Sequence, residues 1–282
     1  MQTISCQRFA GERALFKARD LLIENCVFED GESPLKEARN LTVADSVFRW
    51  KYPFWYGTAI TVRNSMLLEM ARAGMWYDTN LTFENCTIEA PKGFRHCKNL
   101  RIERTSLPHA LETLWWCSDV VLRDVTACGD YFAKNCTNVQ VEDLQLVGNY
   151  CFDGCRDVTV ANARMVSKDA FWNCENVTVR NSFISGEYLG WNAHNLTFES
   201  CTIESLQGLC YIDGLTLKNC RLINTTLAFE YCSNINAEVT TTIDSVVNPR
   251  SGIIRAAGFG QVIQDDPDID TTQVTLVTTA AE

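Results

Sequence analysis

The chain has 282 residues, of which 46% are hydrophobic and 21% are charged, and these fractions exclude a disordered chain. Its 25 basic and 35 acidic residues give a formal net charge of −10, which disfavours a surface that follows the phosphates of a nucleic acid. The unusual number is fourteen cysteines.

The beginning of the chain, Met1 to Arg8, has no apolar core of a secretory signal. No run approaches the roughly 18 apolar residues that a membrane helix needs. We therefore expect a cytoplasmic protein with reduced thiols and no membrane partner. A secreted disulfide framework is the competing interpretation of the cysteines.

One phrase recurs along the chain, in close copies at Asp20 to Phe28, Asn80 to Ile88 and Asn195 to Ile203. With the leading Asn or Asp as position 0, copies begin at residues 20, 40, 59, 80, 99, 119, 138, 157, 176, 195, 214 and 234. No gap between copies is long enough for a linker. The repeat therefore predicts a single domain over 1–282, with repeats over about 12–243.

Within each unit, positions +1 and +3 are apolar and position +2 is mostly polar, which predicts a short strand. Position 0 is Asn or Asp in ten of twelve units, and these residues tolerate a left-handed backbone at a turn. Further inward pairs are expected at positions +6 and +8 and at positions −5 and −2 (counted back from the next unit). Because one unit cannot close a core, stacked units predict an all-β parallel β-helix.

We favour a right-handed helix over a square coil built from five-residue repeats. Apolar residues at 117, 122, 127 and 132 do fall five apart. In the square coil, however, Asn or Asp normally comes directly before the central apolar residue of each side. Here it comes three residues before, as Asn25 does before Phe28.

The tail after the last repeat, about 244–282, loses the pattern. It keeps strand-like segments at Ile253–Ile254, Val262–Ile263 and Val274–Val277. We expect it to form a C-terminal cap that covers the open end of the solenoid.

Most cysteines occupy two positions of the repeat. Position −2 holds Cys97, Cys117, Cys136, Cys155, Cys174 and Cys232, and position +6 holds Cys26, Cys86, Cys201 and Cys220. Other units place Ala or Gly at position −2, so we interpret the cysteines as small core residues. Their spacing does not match a metal site, and we expect no metal and no cofactor.

The Asn-punctuated coils and the tail, Asn248-Pro-Arg-Ser-Gly252 and Gly260-Gln-Val-Ile263, resemble a bacterial family of about this length. It is classed as a domain of unknown function in the pectate-lyase-like right-handed β-helix group. The resemblance implies the fold but no activity. The wider group includes polysaccharide lyases, hydrolases and esterases, so any enzymatic activity would be of that kind.

The hydrolase motifs of that group are mostly missing. Arg101-Ile-Glu103 only half-resembles their Arg-Ile-Lys segment, and their Gly-His-Gly segment is absent. The outward position +4 mostly alternates in sign, which indicates a solvated face. We therefore lean against an enzyme.

An aromatic stripe is the better signal. Positions −4 and −3 of four consecutive units read Trp55-Tyr56, Trp76-Tyr77, Arg95-His96 and Trp115-Trp116. Position −5 already supplies the inward residue, so these pairs are expected to project outward in a continuous platform. Such a platform would bind a glycan or small molecule, or a protein partner or second copy. Alternatively, connecting segments bury it.

Asp78 is the one acid at position −2, where Gly57 and Cys97 stand in the neighbouring units. A buried carboxylate needs a partner, and His96 or Arg95 would be close enough to supply one. Asp78, His96 and Arg95 are thus candidate catalytic residues beside the stripe. A local bulge that lets Asp78 reach solvent or cap a backbone turn is the alternative.

Two hypotheses follow. The chain is a carbohydrate-binding or carbohydrate-modifying β-helix that uses the stripe, or a non-catalytic scaffold whose stripe docks a partner or a second copy. Mimicry of a nucleic acid is a weaker third hypothesis, because it rests only on the net charge of −10 and the expected rod shape, and it needs the square coil. A nucleic-acid partner is not expected.

Overall fold

The computed structural model describes residues 2–279, which divide into two compact units between Gln145 and Leu146. The strands that begin in the first unit are β1 (Gln2–Ser5), β2 (Arg8–Phe9), β3 (Arg19–Glu24), β4 (Val27–Phe28), β5 (Arg39–Ala44), β6 (Val47–Phe48), β7 (Thr58–Arg63), β8 (Met66–Leu67), β9 (Met75–Trp76), β10 (Thr79–Glu84), β11 (Thr87–Ile88), β12 (Phe94–Arg95), β13 (Lys98–Leu107), β14 (Ser118–Cys128) and β15 (Thr137–Val147).

The strands of the second unit are β16 (Arg156–Ala161), β17 (Arg164–Val166), β18 (Glu175–Arg180), β19 (Phe183–Ser185), β20 (His194–Glu199), β21 (Thr202–Leu206), β22 (Asp213–Thr226), β23 (Ile235–Val247), β24 (Gly252–Ile263) and β25 (Val274–Thr278). Single turns of 3₁₀ helix lie at Glu69–Ala71 and Thr271–Gln273. No helix within residues 2–279 has the length and apolar character needed to cross a membrane.

In the first unit, strands pair in parallel and in the register of the repeat. Leu41 in β5 is aligned with Leu21 in β3 and with Ile60 in β7, so position +1 stacks on position +1. Each of these side chains contributes to the same inward row, which a one-residue slip would turn outward. The predicted parallel β-solenoid is confirmed.

Three segments of each coil face the core of the first unit. The long strand covers positions −1 to +4, and the second segment is a pair such as Val27–Phe28, which aligns with Val47–Phe48. Phe28 and Phe48 stack with ring centroids 4.5 Å apart. The third segment is the short pair β9 and β12, in which Phe94 aligns with Met75.

The Asn and Asp residues at position 0 adopt the left-handed backbone that the sequence predicts. Asn40, Asn80 and Asn99 have φ of 51°, 57° and 54°. The side-chain amide of Asn99 also donates a hydrogen bond to Asn80 Oδ1 at 2.6 Å. Short polar side chains therefore allow the turn and connect successive coils.

The second unit repeats this arrangement and extends it beyond the last recognisable repeat. Gly252 of β24 aligns with Ile235 of β23 on one side and with Val274 of β25 on the other, in parallel. The tail, for which we predict a cap, therefore adds two further parallel strands to the sheet.

At the other end of the chain, β1 adds a coil on β3, in which Gln2 aligns with Leu21. The chain therefore has about fifteen coils, where the repeat indicated about twelve. Coils that are packed on one side only need fewer apolar side chains, so the motif fades there.

The cysteines are core residues, as predicted. Twelve of the fourteen are buried, all fourteen are free, and only Cys6 and Cys128 are exposed. Many thiols lie close to a backbone carbonyl of the preceding coil, as Cys97 Sγ does to Met75 O at 3.2 Å and Cys220 Sγ to Phe198 O at 3.3 Å. Burial raises the pKa of the Cys220 thiol and raises the pKa of the Cys151 thiol to about 12, so both are protonated at neutral pH.

Candidate functional site

Four exposed rings form a continuous stack on the first unit. This aromatic ladder consists of Tyr56, Tyr77, His96 and Trp116, the residues at position −3 of four consecutive coils. Neighbouring ring centroids are 5.1, 4.9 and 5.0 Å apart, and the planes are within 6° of parallel. Tyr56, Tyr77 and Trp116 are 48%, 45% and 43% exposed. The ladder therefore presents its ring edges, with their polar groups, to solvent.

The ladder residues all have an unusual backbone. Their φ values are 60°, 64°, 52° and 53°, in the left-handed region. In this region a bulky side chain costs of order 1 kcal/mol, whereas Asn is tolerated and occupies the same position at residue 135. The four coils thus carry aromatic rings at a position where Asn adopts the same left-handed backbone conformation at a lower cost in free energy.

The residues at position −4 form an inner row, Trp55, Trp76, Arg95 and Trp115, which is half-buried. The indole N–H groups of its three tryptophans donate hydrogen bonds to backbone carbonyls of the following coil. The acceptors are Ala73 O at 2.6 Å, Lys92 O at 3.1 Å and Tyr131 O at 2.8 Å. The stripe therefore divides into an exposed ladder and an inner row that connects coils, where we had predicted that both positions project outward.

Arg95 is held between two indoles. Its guanidinium carbon lies 5.1 Å from the ring centroid of Trp76 and 4.3 Å from that of Trp115. Its Nη2 donates to Glu112 Oε2 at 2.7 Å, while its buried Nε has no partner among the described residues. Arg95 thus replaces an aromatic ring in the inner row through cation–π contacts.

Asp78 is buried in the core at position −2, with 1% of its surface exposed. Its Oδ1 accepts a hydrogen bond from Gly57 N at 2.5 Å, and its Oδ2 has no partner among residues 2–279. Burial, with a smaller contribution from the neighbouring Cys97, raises the pKa of this carboxyl well above its usual value. The predicted partners lie elsewhere: Arg95 pairs with Glu112, and His96 stacks in the ladder. The three predicted catalytic residues therefore share no hydrogen bond or ion pair.

Polar side chains lie beside the ladder. Tyr56 at position −3 and Arg39 at position −1 line one cleft at the start of the ladder. At position −1 the ladder coils carry Thr58, Thr79 and Ser118, which are partly exposed, and Lys98, which is exposed. Position −1 therefore supplies three hydroxyl groups and one ammonium group near the rings.

Sequence reasoning missed the basic character of this cleft at the Tyr56 end of the ladder. This basic cleft is lined by Lys17, Arg19, Lys36, Glu37, Arg39 and Tyr56 and has a volume of about 290 Å³. A signal was present in the repeat, because the two arginines both stand at position −1 of successive units. A comparison of the charges at position −1 in successive repeats, like the comparison at position +4, reveals these two arginines.

The second unit carries its own aromatic row. Trp191 lies 5.9 Å from Trp172 and 4.2 Å from Tyr211, which is 5.0 Å from Tyr231. These rings are tilted by 30–41° and all four are partly buried. The parallel, exposed arrangement belongs to Tyr56, Tyr77, His96 and Trp116.

No group of three or more His, Cys, Asp or Glu side chains within residues 2–279 is arranged to hold a metal ion.

Comparison with solved structures gives distant matches. The surface adhesin PfbA of Streptococcus pneumoniae is 10% identical, with a TM-score of 0.38, and the match covers 82% of this chain and 71% of the adhesin. The catalytic domain of a GH87 α-1,3-glucanase in complex with nigerose is 11% identical, with a TM-score of 0.41 and coverage of 99% and 64%.

The A-module of the mannuronan C-5 epimerase AlgE4 of Azotobacter vinelandii is 10% identical, with a TM-score of 0.33 and coverage of 98% and 91%. At these identities the likeness concerns the fold alone.

No curated protein matches the sequence. One protein family does match, over residues 2–277, and it is described as a protein of unknown function. Because this match covers nearly every coil from β1 to β25, the chain belongs to the DUF3737 family.

Proposed function

We propose that the chain binds a carbohydrate along the aromatic ladder. The observation that carries this proposal is the exposure of Tyr56, Tyr77, His96 and Trp116 at left-handed backbone positions. Exposed aromatic clusters of this kind are typical of binding surfaces.

Stability alone does not account for the ladder. Each stacked pair contributes about 0.5–1.5 kcal/mol, which is similar to the cost of placing a bulky residue in the left-handed region. An Asn at this position avoids that cost and also connects coils, as Asn192 does by donating to Asn173 Oδ1 at 3.1 Å. The rings therefore add little to the fold that Asn would not supply, and their exposed area is available to a ligand.

The spacing of the ladder suits a polymer. The rings repeat every 4.9–5.1 Å, close to the length of one pyranose residue in an extended chain. A glycan that lies along the ladder would therefore meet one ring edge and one position −1 side chain per sugar. The ring edges with their polar groups, together with the side chains at position −1, would supply the mixture of apolar and polar contacts that is usual in a ligand site.

The test is direct binding of an oligosaccharide panel, with cellohexaose, xylohexaose, chitohexaose and oligogalacturonate as probes, followed by calorimetry and by the intrinsic tryptophan fluorescence. We expect Tyr77→Asn to weaken binding about 2- to 10-fold, the equivalent of one aromatic contact. Asn suits the left-handed backbone, so the variant should fold as well as the parent protein. Tyr211→Asn is the matched control. Tyr211 also stands at position −3 of a repeat, in the second compact unit, and its φ is 57°.

Two results would overturn the proposal. One is the absence of binding to every member of the panel. The other is a concentration-dependent dimer that Tyr77→Asn and Trp116→Asn abolish, because the ladder would then be an interface between copies of the chain. Light scattering measures this second outcome.

A further inference from the structure

The basic cleft adjoins the first ring of the ladder. Tyr56 belongs to both, and Lys36 Nζ lies 5.6 Å from the Tyr56 ring centroid. A ligand that lies along the ladder therefore reaches the cleft at the Tyr56 end.

The cleft breaks the charge pattern of the first unit. Arg63 and Glu84, by comparison, are register partners of opposite charge whose charged atoms are 3.5 Å apart. Where two acids are register partners, as Glu84 and Glu103 are, Arg104 forms an ion pair with both. Arg19 and Arg39, by contrast, are register partners in β3 and β5, and like charges in this relation are destabilising. The chain as a whole has a net charge of −10, so this concentration of cations is not an average property of its surface.

Only one cation of the cleft is compensated. Lys17 Nζ lies 3.5 Å from Glu37 Oε2, while the ion pairs among residues 2–279 include no acid for Arg19, Lys36 or Arg39. Four cations and one carboxylate leave three positive charges around a cleft of about 290 Å³. An anion placed there would relieve the repulsion between the two arginines.

We propose that the basic cleft binds a phosphate group, so that the ligand of the ladder is a phosphorylated sugar or glycan. This inference rests on the proposed carbohydrate-binding function. A phosphate monoester carries about −1.5 to −2 charges at pH 7, and it matches three positive charges better than the single charge of a carboxylate or sulfate ester. Guanidinium groups also bind phosphate in a bidentate manner that suits the Arg19 and Arg39 pair.

The experiment compares inorganic phosphate, glucose 6-phosphate, glucose and glucuronate by calorimetry on the full chain. We expect glucose 6-phosphate to bind at least about tenfold more tightly than glucose or glucuronate, as for a charge-assisted hydrogen-bonded pair. Its affinity should rise between pH 5.5 and 7.5, because the second ionisation of the phosphate lies near pH 6. Added salt should weaken it.

Arg39→Gln and Arg19→Gln should each weaken phosphate binding about tenfold or more. Both side chains are exposed, so these variants should fold normally. The matched control is Arg63→Gln, which removes the same charge from a site that is 55% exposed and faces Glu84. It should bind phosphate as the parent protein does.

Equal or tighter binding of glucuronate would overturn the phosphate assignment and indicate a carboxylate site. An equal effect of Arg63→Gln would also overturn it, because the attraction would then be non-specific. Tyr77→Asn separates this inference from the proposed function. If phosphate binds but no glycan does, the anion site is supported and the proposed glycan binding is overturned. If glycans bind but phosphate does not, only the anion site is overturned.

Discussion

The carboxylate of Asp78 accepts a hydrogen bond of 2.5 Å from the backbone nitrogen of Gly57, inside the core of the first unit. The two residues are neighbours at position −2 of successive coils. A Cβ on Gly57 would lie 2.9 Å from Asp78 Oδ1 and 2.5 Å from Ile60 Cδ1. The glycine therefore makes room for the acid in a row that, within the first unit, is otherwise built from Cys and Ala.

The Asp78 carboxyl should make the protein less stable as pH rises. Its folded pKa is raised well above the value of 3.8 that applies when it is unfolded. Below about pH 4 the carboxyl is protonated in both states; above that pH the unfolded chain ionises first and stability falls until the folded pKa is reached. Asp78→Asn, which has no titrating proton, should be more stable than the parent protein at pH 7 by at least about 1 kcal/mol, the equivalent of one pKa unit.

Urea unfolding at pH 4 and pH 7 measures this effect. The two proteins should be similar at pH 4 and differ at pH 7. Asp78→Ala provides a second test, because Gly57 N also lies 3.2 Å from Phe54 O and would keep an acceptor. A parent protein that gains stability relative to Asp78→Asn between pH 4 and 7 would contradict the assignment.

Ser65 should be important through its hydroxyl group. It is 1% exposed, and its Oγ accepts a hydrogen bond of 3.0 Å from Ser46 N in the preceding coil. Ser65→Ala leaves that buried N–H without its acceptor, which costs about 1–3 kcal/mol. Ser65→Cys should cost less, because Cys86 fills the same repeat position and accepts from Ser65 N. A melting temperature that is lower for Ser65→Cys than for Ser65→Ala would refute this explanation.

Asn80 should separate backbone conformation from side-chain bonding. Its φ is 57°, and its Oδ1 accepts from Asn99 Nδ2 on an exposed surface. Asn80→Gly loses the hydrogen bond but keeps the backbone freedom, so it should cost only a few tenths of a kcal/mol, as for Gly in place of a cap. Asn80→Ala adds the left-handed penalty and should be about 1 kcal/mol worse than Gly. Chemical denaturation of both variants checks the order, which equal stabilities would contradict.

Arg95 should stabilise the inner row mainly by stacking. Arg95→Ala removes its contacts with Trp76 and Trp115, and we expect a loss of about 1–3 kcal/mol and a change in tryptophan emission. Arg95→Met keeps a long side chain between the indoles and removes the unpartnered Nε, so it should be milder. Glu112 retains Lys92 Nζ at 3.3 Å in both variants. If Met and Ala are equally destabilising, the charge rather than the stacking is important.

Much of the fold was predictable because the same sequence motif recurs in nearly every coil. Leu21, Leu41 and Ile60 could be aligned from spacing alone, since stacked coils must bury equivalent positions. The register of the terminal strands β1 and β25 was not predictable in this way, because among residues 2–279 each pairs with a strand on one side only and its side chains are less restricted.

The candidate site was predictable only in part. The pairing of Trp76 with Tyr77 pointed to an aromatic stripe, but adjacent residues on an irregular segment do not reveal which one faces solvent. The left-handed φ of 64° at Tyr77 turns its ring outward, and the indole of Trp76 finds the Lys92 carbonyl of the next coil.

The amino-acid sequence by itself determined the solenoid, its register and the burial of its cysteines, because each depends on a periodic pattern repeated along the chain. Only the tertiary structure decided the partner of Asp78, the division of the stripe into an exposed ladder and an inner row, and the cleft around Arg19 and Arg39. These depend on which atoms of neighbouring coils meet, and that follows from backbone dihedral angles and side-chain directions rather than from spacing along the chain.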